Sequence, residues 1–523
     1  MSMERIESFV CGEWTAGSGP DVGLLNPATE EPIATAAREG LDYGEVLGYA
    51  REQGHATLAA LSFAERGALL QRMSDALQKS RESLLDSAVV NGGCTRADAK
   101  FDVDGAIQVL AYYAELGRTL GERRILVDGE GLQLGRSPRL WAQHIHVCRT
   151  GVAVLINAFN FPAWGFAEKA ACALLAGVPV VTKAATSTAL TAYRCTRVLM
   201  SDADLPNGIF QFVAGSASSL LEHLDGQDML AFTGSAVTGR TLRNHPRVVE
   251  RNVLVNVEAD SLNAAVLDPD LGDESEGMQL FIREVVREMT QKTGQKCTAV
   301  RRLMVPESRV EHVVAALGAR LDEVAVGDPA DRAVRMGPLA TAQQWADVEA
   351  GTQLLRQEAE LVHGRVGRPE LVGISHDRGF FFDKVLLVAS KPHEAKSVHD
   401  VEVFGPVVTV IPYSGDPDEA VALVRRGQGS LVTSLYSDRP EFAERVVLGV
   451  GPYSGRVYIG SSKIADHAMG SGLALPQCVH GGPGRAGGGE ELGGLRGVQH
   501  FMQRTAVQGA RSLVERLTDT RPT

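Results

Sequence analysis

Gly151-Val-Ala-Val-Leu-Ile156 begins the stretch of sequence that decides the fold of this chain. This apolar, partly β-branched run predicts a buried strand, and the turn Asn160-Phe-Pro162 separates it from an alanine-rich helix over residues 167–176. Val178-Pro-Val-Val-Thr182 predicts the next strand. A strand, a helix and a strand at this spacing indicate a parallel βαβ unit.

The same alternation continues on both sides of this unit. Downstream, Ile209-Phe-Gln-Phe-Val213 and Met229-Leu-Ala-Phe232 predict two more strands, with a helix over residues 218–224 between them. Upstream, Ser62 and Glu65 have the spacing of a capping box and predict the start of a helix. We therefore predict an α/β fold.

A second set of helices and strands is predicted over residues 270–470. The segment 132–147 predicts a hairpin, and the glycine-rich segment 481–497 predicts a loop. Gly482-Pro-Gly-Arg-Ala-Gly487 matches a GxGxxG dinucleotide fingerprint by letter only. No strand of an N-terminal βαβ unit precedes it and its proline stiffens the turn, so we expect a tight loop there rather than a nucleotide site.

Composition excludes several classes of function. The chain has 523 residues, 44% of them hydrophobic, and its 52 Lys and Arg against 64 Asp and Glu give a net charge of -12. This charge argues against broad nucleic-acid binding, and the longest apolar run, residues 170–181, is too short for a membrane span. The N-terminus has no signal-peptide pattern, and seven cysteines without a CxxC pair or zinc-ligand spacing predict reduced thiols, no metal site and a cytoplasmic protein.

Thr293-Gly-Gln-Lys-Cys-Thr298 carries the strongest local chemical signal. Cys297 is flanked by small and polar residues, which suit either a nucleophile or a semi-exposed structural thiol. A free thiol has a pKa of about 8.5, so a nucleophilic Cys297 needs activation by a base, a helix N-terminus or a cationic ring.

Four other features have a chemical interpretation beside a structural one. Glu258 ends an apolar run, where a carboxylate lines a pocket, caps a helix or forms a strand-end salt bridge. Asn160 either closes a turn or donates to a developing oxyanion. Phe232-Thr-Gly-Ser235 predicts a strand, a turn and a helix start whose N–H groups can bind phosphate, and Lys183 follows a strand, where it can meet a phosphate or ribose or simply face solvent.

The joint order of these motifs resembles the aldehyde dehydrogenase superfamily. The resemblance begins at Val10-Cys-Gly-Glu-Trp14 and extends to about residue 500. The motifs that carry it, in order, are Asn160-Phe-Pro162, Lys183, Phe232-Thr-Gly-Ser235, Glu258, Gly294-Gln-Lys-Cys297 and Glu402-Val-Phe-Gly-Pro406.

The resemblance implies a domain organisation and a set of roles. It implies a Rossmann-like cofactor domain over residues 1–131 and 151–270, an α/β catalytic domain over 271–489, and small oligomerisation elements at 132–150 and 490–523 that pair across a homodimer interface. It also implies that Cys297 is the nucleophile, that Glu258 is the general base and that Asn160 holds the oxyanion with the backbone N–H of Cys297. The positions that it assigns to cofactor binding are Ile156, Phe159, Lys183, Thr186, Gly215, Phe232, Gly234, Ser235, Thr238, Ala259, Glu402 and Phe404.

Departures from the family pattern indicate the cofactor and the substrate. Thr186 stands where NAD-preferring relatives carry a glutamate that repels a 2′-phosphate, and Lys183 remains to pair with that phosphate, so we expect NADP rather than NAD. The usual Pro-Phe-Gly-Gly near the C-terminus is replaced by a block that starts at His480 and ends at Gly494. This block resembles the dehydrogenase half of ring-opening enzymes of phenylacetate degradation and stand-alone relatives that act on 3,4-dehydroadipyl-CoA semialdehyde, which implies a CoA-linked aldehyde substrate.

Three alternatives remain open from the sequence. The substrate is a plain aromatic or aliphatic aldehyde, the chain is a cysteine thioesterase without redox chemistry, or it is a catalytically silent member of the fold. Glu258 is usually absent from relatives that pass the acyl group to CoA, so its presence favours hydrolysis to a carboxylic acid.

Overall fold

The computed structural model describes residues 3–217 and 219–518. The strands over these residues are β1 (Glu4–Ile6), β2 (Ser8–Val10), β3 (Glu13–Thr15), β4 (Ser18–Leu25), β5 (Pro32–Glu39), β6 (Leu126–Gln133), β7 (Leu140–Cys148), β8 (Ala153–Ile156), β9 (Val180–Lys183), β10 (Phe210–Val213), β11 (Met229–Thr233), β12 (Leu254–Glu258), β13 (Ala264–Leu267), β14 (Arg302–Pro306), β15 (Ala359–His363), β16 (Val385–Ala389), β17 (Val407–Tyr413), β18 (Ser430–Tyr436), β19 (Ser454–Gly460), β20 (Val479–Gly481), β21 (Glu490–Leu492) and β22 (Met502–Ala510).

Helices connect most of these strands. They are α1 (Tyr43–Tyr49), α2 (His55–Ala60), α3 (Phe63–Lys79), α4 (Arg81–Gly92), α5 (Arg96–Leu120), α6 (Trp164–Ala176), α7 (Ala189–Asp202), α8 (Ala236–Arg243), α9 (Pro246–Arg251), α10 (Glu276–Thr290), α11 (Val310–Asp322), α12 (Ala342–Leu355), α13 (Ser397–Asp400), α14 (Pro417–Arg425), α15 (Pro440–Val450), α16 (Leu495–His500) and α17 (Arg511–Thr518).

The first seven-stranded sheet has the order β12-β11-β8-β9-β10-β2-β3 and is parallel from β12 to β10. The predicted βαβ unit is confirmed, because β8 and β9 pair in parallel and α6 connects them. Except for its first residue, Trp164, every residue of α6 is buried, which explains its alanine-rich sequence: small side chains let the helix pack closely on the sheet and on α5. The predicted capping box at Ser62 and Glu65 starts α3, and both of its hydrogen bonds are present.

The second seven-stranded sheet has the order β15-β16-β17-β14-β13-β18-β19 and is parallel except for its edge strand β15. Strand β13 belongs to this sheet, although it precedes residue 270, where we placed the end of the cofactor domain. The chain therefore passes from the first sheet to the second between β12 and β13. Glu258 is the last residue before that crossing, so it lies between the two sheets.

A hairpin is present as β6 and β7, but it starts at Leu126 rather than at the predicted residue 132. It is joined by a strand from the far end of the chain. β22 pairs with β7 in antiparallel register from Met502 opposite Cys148 to Ala510 opposite Leu140. Parts of the two segments predicted as oligomerisation elements, β7 and β22, thus pair within a single chain in a three-stranded sheet of order β22-β7-β6. β21 and α16 of the second segment lie outside this sheet. Residues 519–523 of the predicted tail lie outside the described residues.

Two local predictions were wrong. The helix expected over residues 218–224 is a short 3-10 turn, Leu220–His223, and Ser218 lies outside the described residues. The segment 481–497 is not simply a loop, because β20 and β21 pair in antiparallel fashion around a 3-10 turn, Gly484–Ala486, and α16 begins inside the segment. Glycines with positive φ form tight turns in this segment, and the short strands lie between these turns. The parts of the chain that the structure describes contain no helix long and apolar enough to cross a membrane.

Candidate active site

The loop before Cys297 is held in an unusual backbone conformation. Lys292, Thr293 and Gly294 have φ values of 52°, 57° and 68°, which lie in the left-handed region. A Cβ at Gly294 would lie 2.3 Å from the carbonyl oxygen of Gly405, so glycine is required there. Such strain persists only where surrounding contacts enforce it, and it is common at functional sites.

Side-chain hydrogen bonds fix the backbone on the other side of the thiol. The Asn263 Nδ2 group donates to the carbonyl oxygens of Cys297 (2.8 Å) and Ala299 (2.9 Å). The Thr298 hydroxyl donates to the carbonyl oxygen of Gly472 at 2.8 Å. The position of Cys297 is therefore set by β13 and by the segment after β19, which are distant in the sequence.

Three reactive side chains meet at the sulfur. The Cys297 Sγ, a Glu258 carboxylate oxygen and a His480 ring nitrogen all lie within 4.8 Å of one another. The Sγ to Nε2 distance is 3.9 Å and the Nε2 to Glu258 Oε2 distance is 3.0 Å. Burial raises the pKa of the Cys297 thiol well above its usual range, and the Glu258 carboxylate raises it further. The thiol therefore does not ionise by releasing its proton to bulk water near neutral pH.

Glu258 is placed by β12, whose last residue it is, beside Thr233 at the end of β11. Its side chain is 2% exposed. Burial alone would raise the pKa of its carboxyl group, but the neighbouring imidazole of His480 and the ammonium of Lys169 lower it to about 2. Glu258 is thus ionised throughout the neutral pH range.

A buried group of charges lies behind Glu258. The Lys169 Nζ is 2.7 Å from Glu168 Oε1 and 3.2 Å from Glu491 Oε2, and all three side chains are at most 5% exposed. The Asn256 Nδ2 donates to the other Glu491 oxygen at 3.2 Å. One ammonium therefore faces two buried carboxyl groups, of which β21 supplies one, and burial raises the pKa of the Glu168 carboxyl well above its usual range.

Asn160 does not close a turn, as one interpretation of the sequence suggested. Its Nδ2 group donates to the carbonyl oxygen of Gln295 at 3.0 Å. The helix start that follows it is capped instead by Asp102, whose carboxylate accepts from the N–H groups of Ala163 and Trp164. Because an amide nitrogen carries two hydrogens, the second N–H of Asn160 stays available to another acceptor.

Two cavities meet at the thiol. A cleft of about 720 Å³ is lined by Asn160, Glu258 and Cys297 at one end and by the start of α8 at the other. A second cavity, of about 310 Å³, contains Cys297 and His480 in its lining. The remaining residues that line this second cavity are Ala97, Lys100, Phe101, Asp104, Gly105, Gln108, Val109, Phe161, Trp164, Thr298, Gly472, Leu473, Ala474, Leu475 and Pro476.

The larger cleft contains eight of the twelve residues that the sequence assigned to a cofactor. They are Phe159, Phe232, Gly234, Ser235, Thr238, Ala259, Glu402 and Phe404. The other four lie beyond the lining of this cleft. Ile156 pairs with Lys183 at the ends of β8 and β9, and the Thr186 hydroxyl donates to the carbonyl oxygen of Gly215 at 3.4 Å. Burial lowers the pKa of Lys183.

At the far end of the cleft, the start of α8 has its own carboxylate partner. The Ser235 side chain accepts from the N–H of Thr238, and Asp260 accepts from the N–H of Ala236 at 2.9 Å. A Cβ at Gly234 would lie 2.5 Å from the Phe232 ring, so glycine lets this ring pack against the backbone at the start of α8. The sequence analysis did not single out Asp260, although it follows Glu258 by two residues.

Glu402 and Phe404 lie on the catalytic side of the cleft. Glu402 accepts from the N–H of Ser261 at 3.0 Å and its other oxygen is 3.7 Å from Arg301 Nε. Burial raises the pKa of the Glu402 carboxyl to about 7, even though Arg301 opposes the shift. The Arg301 guanidinium lies over the Phe404 ring, and Phe159 contacts that ring from another side. The sequence analysis missed Arg301, which no local pattern distinguishes from other arginines.

The cleft suits a dinucleotide. It is long enough to connect a helix N-terminus, where N–H groups attract phosphate, with the thiol. The buried carboxyl group of Glu402 with the ring of Phe404 can receive a ribose and a planar ring. The sequence analysis also missed His480 as a member of the site, although its replacement of the family's phenylalanine was a visible signal.

A thiol between a nucleotide-sized cleft and a separate cavity is the arrangement expected of an NAD(P)-dependent oxidoreductase. Comparison with known proteins agrees with this class. The sequence profile of the aldehyde dehydrogenase family matches residues 14–507, and the chain belongs to that family.

Relatives and solved structures support this membership. The chain is 42% identical to 3,4-dehydroadipyl-CoA semialdehyde dehydrogenase of Aromatoleum evansii over 481 residues, which cover 92% of this chain and 93% of the relative. It is 29% identical to geranial dehydrogenase of Castellaniella defragrans, over 84% and 87% of the two chains. Its fold matches betaine aldehyde dehydrogenase of Staphylococcus aureus with a TM-score of 0.84 at 22% identity, over 97% and 96% of the two chains. Lactaldehyde dehydrogenase of Escherichia coli matches with a TM-score of 0.83 at 23% identity, over 97% and 99%.

Proposed function

We propose that this aldehyde dehydrogenase oxidises 3,4-dehydroadipyl-CoA semialdehyde to the carboxylic acid, with NADP as the oxidant. The observation that carries the proposal is the position of Cys297 in the lining of both cavities. A sulfur at their junction can hold an acyl group that enters from one side while a dinucleotide occupies the other. The 42% identity to a relative with this named activity supports the choice of substrate.

The chemistry begins with attack of the Cys297 sulfur on the aldehyde carbon, which forms a C–S bond and leaves an alkoxide. The available N–H of the Asn160 amide donates to this oxygen. The other N–H donates to the carbonyl oxygen of Gln295 and so holds the amide in this orientation. One such donor contributes roughly 3–4 kcal/mol where it has been measured in other enzymes.

The second half of the reaction is hydrolysis of the thioester on Cys297. Glu258 lies beside the sulfur, is ionised, and can take a proton from a water molecule that attacks the acyl carbon. The C–S bond then breaks and the carboxylic acid leaves. CoA takes no part in this step and serves as a handle on the substrate.

The cofactor supplies a hydride acceptor when it is bound. Ser235, Thr238 and Gly234 would hold its pyrophosphate at the start of α8, and Glu402 with Phe404 would hold the ribose and ring nearest the thiol. Thr186 and Lys183 would determine the preference for NADP over NAD. Thr186 is uncharged and does not repel a 2′-phosphate, and Lys183 is a cation near the same loop that attracts this phosphate. The test is a comparison of kcat/KM for NADP and NAD, and a higher value for NAD would refute this part.

The second cavity suits an extended acyl chain. Phe101, Phe161 and Trp164 form an apolar wall, and Lys100 and Gln108 add polar groups on the face of α5. Lys100 is exposed and is a candidate partner for the anionic CoA.

The test of the substrate compares the CoA thioester with the matching free acid semialdehyde. A kcat/KM at least tenfold higher for the CoA-linked aldehyde supports the proposal. Equal values would favour a plain aldehyde as substrate, and thioester hydrolysis without reduction of NADP would favour a thioesterase.

We also propose that the chain forms a homodimer through the sheet of β22, β7 and β6. Four large apolar side chains on this surface are 46–68% exposed, which is unusual for such residues. They are Leu132 and Leu140 on the sheet and Leu513 and Leu517 on α17. Sedimentation of the wild type and of Leu513→Asp distinguishes the states: a dimer that becomes a monomer supports the proposal, and a monomeric wild type refutes it.

A further inference from the structure

His480 is positioned to take part in the chemistry at Cys297. It lies in β20, its side chain is 1% exposed, and its ring packs edge-on against Trp164. Its Nε2 atom is 3.9 Å from the Cys297 sulfur with hydrogen-bond geometry, and 3.0 Å from a Glu258 oxygen. The role described for this active site so far leaves the imidazole without a function.

The Nε2 atom of His480 faces both Cys297 and Glu258. It lies 3.0 Å from Glu258 Oε2 and 3.9 Å from Cys297 Sγ, and the contact with the sulfur has hydrogen-bond geometry. Which atom donates in that contact depends on where the ring carries its proton. A neutral ring that accepts from the thiol carries its proton on Nδ1, a buried atom without a hydrogen-bond partner over the described part of the chain.

We propose that His480 accepts the thiol proton of Cys297, so that the sulfur attacks the aldehyde as the thiolate of a cysteine–histidine pair. The S–H bond breaks, the proton moves to Nε2, and the sulfur electron pair forms the C–S bond. When the thioester is hydrolysed the sulfur leaves as a thiolate, to which the proton can return. The inference rests on the proposed function, because it concerns the nucleophile of that reaction.

Charge conservation in the buried site favours this route. Release of the thiol proton to water would leave two negative charges, on Cys297 and on the buried Glu258, within 4.8 Å of each other. Transfer to His480 leaves the net charge of the three side chains unchanged and places the imidazolium 3.0 Å from the Glu258 carboxylate. The ionised Glu258 therefore stabilises the product of the transfer.

The surroundings of the pair include other charged groups that bear on its pH dependence. β20 pairs with β21, which places Glu491 opposite His480. Other charged or titratable side chains among the described residues that act on Glu258 or Cys297 are Glu168, Lys169, Arg301, Glu402 and Arg456. A substitution of His480 leaves all of them in place, so the readout reports on the imidazole.

The test measures alkylation by iodoacetamide, which consumes thiolate and needs neither substrate nor cofactor. Mass spectrometry follows the Cys297 and Cys478 peptides from pH 5 to pH 10, with the exposed Cys478 as the reference thiol in the same chain. We expect His480→Phe to lower the alkylation rate of Cys297 at pH 7 by at least about tenfold and to move its rise to higher pH, with the profile of Cys478 unchanged.

A second variant and an activity measurement complete the design. His480→Asn retains a polar group but cannot take up a proton, so it should behave as His480→Phe does and replaces it if the phenylalanine variant does not fold. In both variants the pre-steady-state burst should be slow at pH 7 and recover towards pH 9. An unchanged Cys297 profile in folded variants overturns the inference. If the wild type oxidises no aldehyde, the proposed function fails, while the alkylation profile still decides the role of His480.

Discussion

Replacement of Glu258 by glutamine separates the two halves of the proposed reaction. Glutamine has nearly the same shape and no charge, so Glu258→Gln leaves no uncompensated charge in a site where the native side chain is 2% exposed. The sulfur, His480 and Asn160 remain, so the first half should still proceed, although more slowly, because the Glu258 carboxylate no longer stabilises the His480 imidazolium. Removal of a general base slows proton transfer by about 10²–10⁴-fold, and we expect the steady-state rate at pH 7 to fall within this range.

The pH dependence sharpens this prediction. The pKa of Glu258 is lowered to about 2, so the wild-type base is already ionised at pH 5 and should give a deacylation rate that is flat from there to pH 8. In Glu258→Gln, hydroxide replaces the base-activated water, and the rate should rise about tenfold for each pH unit.

The assay is stopped-flow detection of the reduced cofactor, followed by steady-state measurement on the same sample. We expect one equivalent of reduced cofactor per active site in a burst, then slow turnover. Glu441→Gln, at an exposed residue of α15, is the matched control and should resemble the wild type, whereas Cys297→Ala should give no burst. A Glu258→Gln enzyme with wild-type turnover, or with neither burst nor turnover while correctly folded, would refute the reasoning.

Four other outcomes follow from the structure. Asn160→Ala should slow the burst by about 10²–10³-fold, since one oxyanion donor is lost, and an unchanged burst rate in stopped-flow measurements would contradict this role. Thr186→Glu should lower kcat/KM for NADP by about tenfold or more and change the value for NAD less, because a carboxylate repels the 2′-phosphate; equal losses for both cofactors would count against it. Burial raises the pKa of Glu402 to about 7, and its ionised form is the hydrogen-bond acceptor, so cofactor affinity in fluorescence titrations should fall as the pH drops from 8 to 6 in the wild type but not in Glu402→Gln. Ser62→Ala removes one bond of the capping box of α3 and should lower the free energy of unfolding in urea by about 1 kcal/mol, with no change in kcat.

Local patterns predicted the fold where local physics decides it. The βαβ unit of β8, α6 and β9 follows from apolar runs separated by a turn, and the start of α3 follows from one capping box. The prediction of a helix over residues 218–224 was wrong, because a segment this short takes its conformation from its neighbours and here forms a 3-10 turn. The glycine-rich segment was predicted as a loop because composition does not reveal that β20 and β21 pair across it.

The candidate site was predicted in part. Eight of the predicted cofactor residues line one cleft with Cys297, Glu258 and Asn160. Six of them lie at or just after the ends of β8, β11 and β12 or at the start of α8, and Glu402 and Phe404 reach the cleft from the loop between α13 and β17. Arg301 and Asp260 were missed because the sequence carries no pattern for contacts that form only in the folded chain, between Arg301 and Glu402 and between Asp260 and the start of α8. The roles of all these residues stay predictions until the variants above are measured.

The sequence by itself determined the class of the protein, since the order of short motifs and the identity of their reactive side chains are properties of the chain alone. Only the tertiary structure decided which groups act on one another. His480 is separated from Cys297 by 183 positions and reaches it through β20, a strand that the composition of its segment concealed. The charge state of a buried cluster depends on distances of a few ångströms between such remote side chains, because electrostatic interactions are strong where water is excluded.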